Sequence, residues 1–122
     1  MRKFAMLPLL MLILFVAACD DITGVGGRSL EGDWTARVEG EQIWLSIRDD
    51  RGDVRGSGEW GYDDIWISGE RMDSDVYLIF EFDRYNPIEL EGRISGGEIE
   101  GRLYGSGYDG ERVQFRRESR RY

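Results

Sequence analysis

The sequence contains no histidine and only one cysteine among its 122 residues. Without histidine the chain lacks the side chain that most often serves as a general base near neutral pH and as a ligand for zinc. A single cysteine excludes an internal disulfide and any site built from paired cysteines. We therefore expect a protein that is not an enzyme, with no catalytic residues, no metal site and no cofactor.

Basic residues are also scarce relative to acidic ones. The chain carries 16 Lys and Arg against 24 Asp and Glu, a formal net charge of −8. A protein with this charge repels polyanions, so we expect no binding to nucleic acid. The length suits one small core and is too short for two.

The chain begins like an exported protein. The basic start Met1–Lys3 is followed by the apolar run Phe4–Ala18, which is the layout of a secretory signal. This run is shorter than the roughly 20 apolar residues that a membrane span needs, so we expect residues 1–18 to be removed. The last three residues of the run and the cysteine after them, Val16-Ala17-Ala18-Cys19, resemble the lipobox of bacterial lipoproteins.

That resemblance implies a role for Cys19. In such lipoproteins the cysteine thiol receives a diacylglycerol, and the new amino terminus is often acylated, for example with palmitate. Two or more acyl chains hold a protein stably on a membrane. The resemblance thus implies a lipid-anchored protein of the bacterial cell envelope, on either the inner or the outer membrane. An ordinary signal peptide with a coincidental cysteine is the alternative.

Residues 19–29 are expected to be the lipidated cysteine and a flexible tether, because Asp20–Ser29 holds three glycines and no apolar periodicity. As a coil these ten residues would span about 17–19 Å. We place one domain at 30–118 and a basic C-terminal tail at 119–122.

Strict alternation of apolar and polar residues dominates the domain, which is the period of a half-buried strand. It predicts eight strands, at 30–39, 42–48, 54–60, 64–70, 75–83, 88–95, 98–105 and 111–117, joined by short Gly- and Asp-rich turns. We expect an all-β fold in which the sheet closes into a single small eight-stranded antiparallel up-and-down barrel, since closure removes exposed edges. A two-sheet β-sandwich of the same strands is the alternative.

The start of this domain, Leu30-Glu31-Gly32-Asp33-Trp34, resembles the first strand of calycin barrels, the lipocalins and avidins, where a G-x-W tripeptide begins the barrel. The resemblance implies a calycin-like barrel with Trp34 as the plug at its base. The domain is too short for the helix that lipocalins pack outside their barrel. Avidins need polar side chains inside, whereas the predicted inward positions here are apolar or Gly, so biotin binding is not expected.

The inward aromatic residues are candidates either for the core or for a site that takes a small apolar ligand: Trp34, Trp60, Phe80, Phe82 and Phe115. Six glycines share the inward phase: Gly56, Gly58, Gly69, Gly92, Gly101 and Gly105. They could make room for the rings and let the strands coil strongly. Alternatively, they could leave a cavity for a lipid-like molecule.

Several large side chains fall on the outward phase, among them Trp44, Trp66, Tyr77 and Ile79. Trp66, Tyr77 and Ile79 lie on consecutive strands and form a candidate patch for a partner, although scattered exposed aromatics are common. Acidic clusters such as Asp49-Asp50 and Asp63-Asp64 lie where hairpin turns favour Asp.

Two functions fit these observations. The first is a non-catalytic interaction or structural module at the membrane surface, with the membrane reached through Cys19 and a protein partner at the outer face. The second is a carrier or sensor of a small apolar ligand held inside the barrel. A hydrolase would have to depend on loop carboxylates alone.

Overall fold

The computed structural model describes residues 29–118. The predicted signal segment at 1–18, Cys19, most of the predicted tether and the tail at 119–122 lie outside the described residues. Within the described range, no helix is long and apolar enough to cross a membrane.

The described chain is an all-β closed barrel, as predicted, and not a two-sheet sandwich. Its eight strands are β1 Gly32–Val38, β2 Glu41–Asp50, β3 Asp53–Trp60, β4 Asp63–Met72, β5 Asp75–Phe82, β6 Ile88–Ser95, β7 Glu98–Gly105 and β8 Tyr108–Arg117. Each strand pairs antiparallel with the next one in the chain, and β1 pairs with β8 to close the ring. This is the up-and-down architecture that the calycin resemblance implies.

The alternating pattern places one face of every strand inside. On β2, for example, Ile43, Leu45 and Ile47 are buried while Trp44 and Arg48 are exposed. The core of the described range consists of apolar side chains. Burial of these side chains is the main favourable contribution to folding, at about 25 cal/mol per Å² of apolar surface.

Two predicted strand starts differ from the structure by more than one residue, and β2 and β4 each extend two residues beyond their predicted ends. β1 begins at Gly32, two residues after Leu30, because Gly32 has a φ of +128° that breaks the extended chain. β8 begins earlier than predicted, at Tyr108, because the β7–β8 pairing contains a bulge at Leu103/Tyr104. A bulge shifts the inward phase by one residue, so a strict period of two does not extend through it.

Inward-facing glycines allow the strands to coil tightly. A Cβ atom built on Gly58 would lie 2.0 Å from the carbonyl oxygen of Trp44 on β2, and one on Gly56 would lie 2.3 Å from the carbonyl oxygen of Ser46. Gly92 and Gly101 face each other across β6 and β7 with the same crowding. The space beside these glycines is occupied by the backbone of the next strand. This favours the interpretation that they permit coiling in a narrow barrel.

Strand direction defines two ends. At the proximal end the chain enters at residue 29 and leaves at residue 118, beside the β2–β3, β4–β5 and β6–β7 turns. At the distal end lie the β1–β2, β3–β4 and β7–β8 turns and the β5–β6 loop, residues 83–87. The chain therefore enters and leaves the barrel at the same end.

The crowding at Gly58 leads to a stability prediction. We expect Gly58→Ala to lower the free energy of unfolding by about 1–3 kcal/mol, because the new methyl group would meet backbone rather than a movable side chain. The measurement is urea unfolding followed by tryptophan fluorescence. Gly97→Ala is the matched control, since a Cβ there would be 3.9 Å from the Arg117 Cβ, an ordinary contact. Equal losses in the two variants would contradict the prediction.

Candidate functional site

Trp34, the predicted plug, is fully buried at the proximal end. Its indole Nε1 donates a hydrogen bond to the Leu30 carbonyl at 2.9 Å, and the Arg117 guanidinium carbon lies 4.3 Å from its ring centroid. The same guanidinium donates to the carbonyls of Glu31 at 2.6 Å and Ser29 at 2.8 Å. This contact joins the first strand to the last, so the arrangement around Trp34 is structural.

An ion pair that was not predicted from the sequence lies at the same end. The Asp49 side chain is fully buried, and the Arg71 Nε lies 2.6 Å from its Oδ2. The backbone N–H groups of Leu30 and Gly52 also donate to this carboxylate, each at 2.8 Å. Asp49 thus ties the chain entry, the β2–β3 turn and β4 together. In the sequence Asp49 belongs to an acidic cluster that is typical of hairpin turns. Its ion-pair partner Arg71 is 22 residues away, so the sequence around Asp49 did not indicate the pair.

Burial alone would raise the pKa of the Asp49 carboxyl. The hydrogen bond from Arg71 and those from the Leu30 and Gly52 backbone outweigh burial and hold this pKa below its usual value. The carboxylate is therefore charged at neutral pH. It has no open side from which to act on a substrate, so its role is structural.

Aromatic rings meet across the barrel interior. The Trp60 and Phe80 ring centroids are 5.5 Å apart in an edge-to-face arrangement, and those of Phe80 and Phe115 are 6.3 Å apart. Trp34, Phe80 and Phe115 are fully buried. Phe82 is partly buried and packs on this cluster. The structure thus brings together most of the predicted interior aromatics as a packed core.

The same rings continue to the distal end. The ring centroid of Trp60 is 5.7 Å from that of Phe82 and 6.1 Å from that of Tyr108. The ring centroid of Phe82 is 6.0 Å from that of the exposed Tyr85. Burial, followed by the charges of Glu39 and Glu41, raises the pKa of the Tyr108 hydroxyl. The distal end is therefore an aromatic cap with acidic surroundings.

The predicted patch of Trp66, Tyr77 and Ile79 lies on the outer face of β4 and β5. Register places Trp66 opposite Glu81 and Tyr77 opposite Glu70, with Ile79 between them. Because the partner of Tyr77 is Glu70, four residues along β4 from Trp66, the two aromatic side chains are separated along the strand direction. A hydrogen bond to Glu89 raises the pKa of the Tyr77 hydroxyl, so Tyr77 is directed toward β6, away from Trp66.

The structure instead places Trp66 across β3 from Trp44. These two residues line an outer-face groove of about 340 Å³, together with Ser57, Gly58 and Glu59 of the intervening strand β3 and with Asp64 and Ile65 of β4. We call this the tryptophan groove. Both indoles are large exposed apolar groups, Trp44 at 41% and Trp66 at 49% exposure. The outward phase of Trp44 was visible in the sequence, but its proximity to Trp66 depends on the register of three strands.

Comparisons of the chain with protein-family models, with curated proteins and with solved structures find no match. In the part of the chain that the structure describes, no group of three or more Asp, Glu or Cys side chains is placed to hold a metal ion.

The ion pair at Asp49 leads to a pH-dependent prediction. We expect Asp49→Asn to lower the free energy of unfolding at pH 7 by about 3 kcal/mol, the usual cost of removing one partner of a buried pair. Because the folded pKa lies below the unfolded value of about 3.9, this contribution is complete above that value and is lost as pH falls through the folded pKa. Urea unfolding at pH 7 and at more acidic pH measures both effects.

The exposed neighbour offers a control for this measurement. Asp50→Asn removes the same charge at an exposed position and should change stability by less than about 0.5 kcal/mol. A gap between wild type and Asp49→Asn that stays constant down to strongly acidic pH would show that the Asp49 charge is not what stabilises the fold.

Proposed function

We propose that this protein is a non-catalytic, lipid-anchored lipoprotein of the bacterial cell envelope that acts as an interaction module at the membrane surface. Cys19 carries the lipid, and the tether holds the barrel close to the bilayer. The outer face of β2–β4 is the surface that meets a partner.

One observation carries this proposal: the interior of the barrel is packed, while large apolar side chains are exposed outside. Rings from β3, β5 and β8 contact one another across the interior. Trp44 and Trp66 are each more than 40% exposed on the outer face. Exposed large apolar groups that flank a groove are typical of protein interaction sites.

The same packing argues against a carrier of a small apolar ligand. Such a carrier needs a concave apolar cavity that encloses its ligand. A second groove, of about 710 Å³, lies on the outside of the barrel and is lined by charged side chains such as Arg37, Arg102 and Arg112. The interior volume beside the inward glycines is filled by strand backbone.

Metabolic labelling tests the anchor. Cells that express the full chain are grown with a palmitate analogue suitable for click chemistry, and we expect label on the wild type and none on Cys19→Ala. The reason is that the thiol of Cys19 is the proposed acceptor, and the chain has no other cysteine. Label of equal strength on both proteins, or on neither, would refute the anchor.

Site-specific photo-crosslinking in intact cells tests the interaction surface. A photoreactive amino acid replaces Ser57 in the tryptophan groove or, as a matched control, Gln114 on β8. We expect a discrete crosslinked product from position 57 and none from position 114, because only the first position lies beneath the proposed partner. Identical products from both positions, or no product from position 57, would refute this surface as the interaction site.

A further inference from the structure

The tryptophan groove has a regular geometry. Register pairs Trp44 with Glu59 and Ser57 with Trp66, so the two indoles lie on strands that flank β3. Neighbouring strands are about 4.8 Å apart, which places the two strands that carry these indoles about 10 Å from each other. A side chain that lies along β3 would therefore be flanked by one indole on each side.

The groove also has a defined charge. Glu59 on β3 is directly opposite Asp64 on β4, and both line the groove. Like charges in directly paired positions destabilise a sheet. Among the described side chains, the ion pairs involve Asp53, Asp49 and Asp75, and not Glu59 or Asp64. Arg55, the nearest arginine on β3, is four residues from Glu59, and its guanidinium is paired with Asp53.

From these two observations we infer that the tryptophan groove binds a cationic side chain, an arginine or lysine from a basic segment of a partner protein, between Trp44 and Trp66 and against Glu59 and Asp64. This inference rests on the proposed function and names the chemistry of the partner. The indole faces attract a cation through their ring quadrupoles. The paired carboxylates supply the opposite charge and, with an arginine, accept hydrogen bonds from its guanidinium.

The groove lining favours a cation over other occupants. A neutral apolar segment would bury both carboxylates without a partner, which is costly. An anionic segment would be repelled by Glu59, Asp64 and the net charge of −8. A cation relieves the repulsion between the two carboxylates, so the two groups that are unfavourable in the free protein become favourable in the complex.

Binding of a basic peptide to the purified full-length protein, held in neutral detergent, tests the inference. The probe is a fluorescein-labelled peptide in which arginines alternate with Gly-Ser pairs, and its matched analogue carries citrulline in place of every arginine. Citrulline keeps the shape of arginine but removes its charge. We expect fluorescence anisotropy to show binding of the arginine peptide that weakens with added salt, and at least tenfold weaker binding of the citrulline peptide.

Variants then locate the site. Trp44→Ala with Trp66→Ala should weaken binding of the arginine peptide roughly tenfold, the combined loss expected for two cation–π contacts. Glu59→Gln with Asp64→Asn should weaken it at least as much. The charge-matched control, Glu98→Gln with Glu100→Gln on β7, should retain the wild-type affinity. Urea unfolding of each variant checks that the barrel is intact.

Three results would overturn the inference. Equal affinity for the arginine and citrulline peptides would show that charge is not recognised. Equal loss in the Glu98/Glu100 and Glu59/Asp64 variants would indicate non-specific attraction to an acidic protein. Binding of an N-acetylhexosamine oligosaccharide at Trp44 and Trp66, with no peptide binding, would make the occupant a glycan. Crosslinking from position 57 together with any of these results leaves the interaction module standing and removes only the cationic partner.

Discussion

Closure between β1 and β8 is the constraint on which the rest of this structure depends. Every strand has one apolar face, and the closed ring turns all eight faces toward a single interior without leaving an exposed sheet edge. This seam has the fewest residue pairs, Trp34 with Arg117 and Thr35 with Arg116, whereas β3 and β4 form eight. The short ladder is supplemented by the Arg117 guanidinium over Trp34, and by the Glu118 backbone N–H, which donates to the Asp33 carbonyl at 2.8 Å. The residues at the seam therefore stabilise the whole barrel.

Closure of so short a chain also determines how the interior is used. Large rings contact one another across the interior, and inward glycines bring neighbouring backbones close together. On β3, for example, the inward glycines Gly56 and Gly58 lie between the larger Val54 and Trp60. The contacts among these rings and the close approach of the backbones support the proposal that partners bind at the outer face of the barrel and not inside it.

The sequence predicted the features that depend on local periodicity. Eight strands, their inward faces and the closed barrel followed from a period of two and short turns. The Asp49 and Arg71 pair did not, because the predicted strands ended at 48 and 70, one residue short of each member of the pair, although both residues continue the inward phase of β2 and β4. The tryptophan groove was also missed, since it needs the register of β2 against β3 and of β3 against β4. The bulge at Leu103/Tyr104 shifted the phase, so Tyr108 was assigned to a loop. Relations between distant residues were thus the part that a single sequence did not disclose.

Both ends of the described chain lie together at the proximal end, where Arg117 donates to the Ser29 carbonyl. Strand order around the ring is the same as strand order along the chain. Each pair of neighbouring strands is therefore a hairpin, except β8 and β1, between which the described chain has no connection. A short linker from 118 to 29 would supply that connection, and a cut at the β6–β7 turn would give a permuted chain with the same neighbours for every strand.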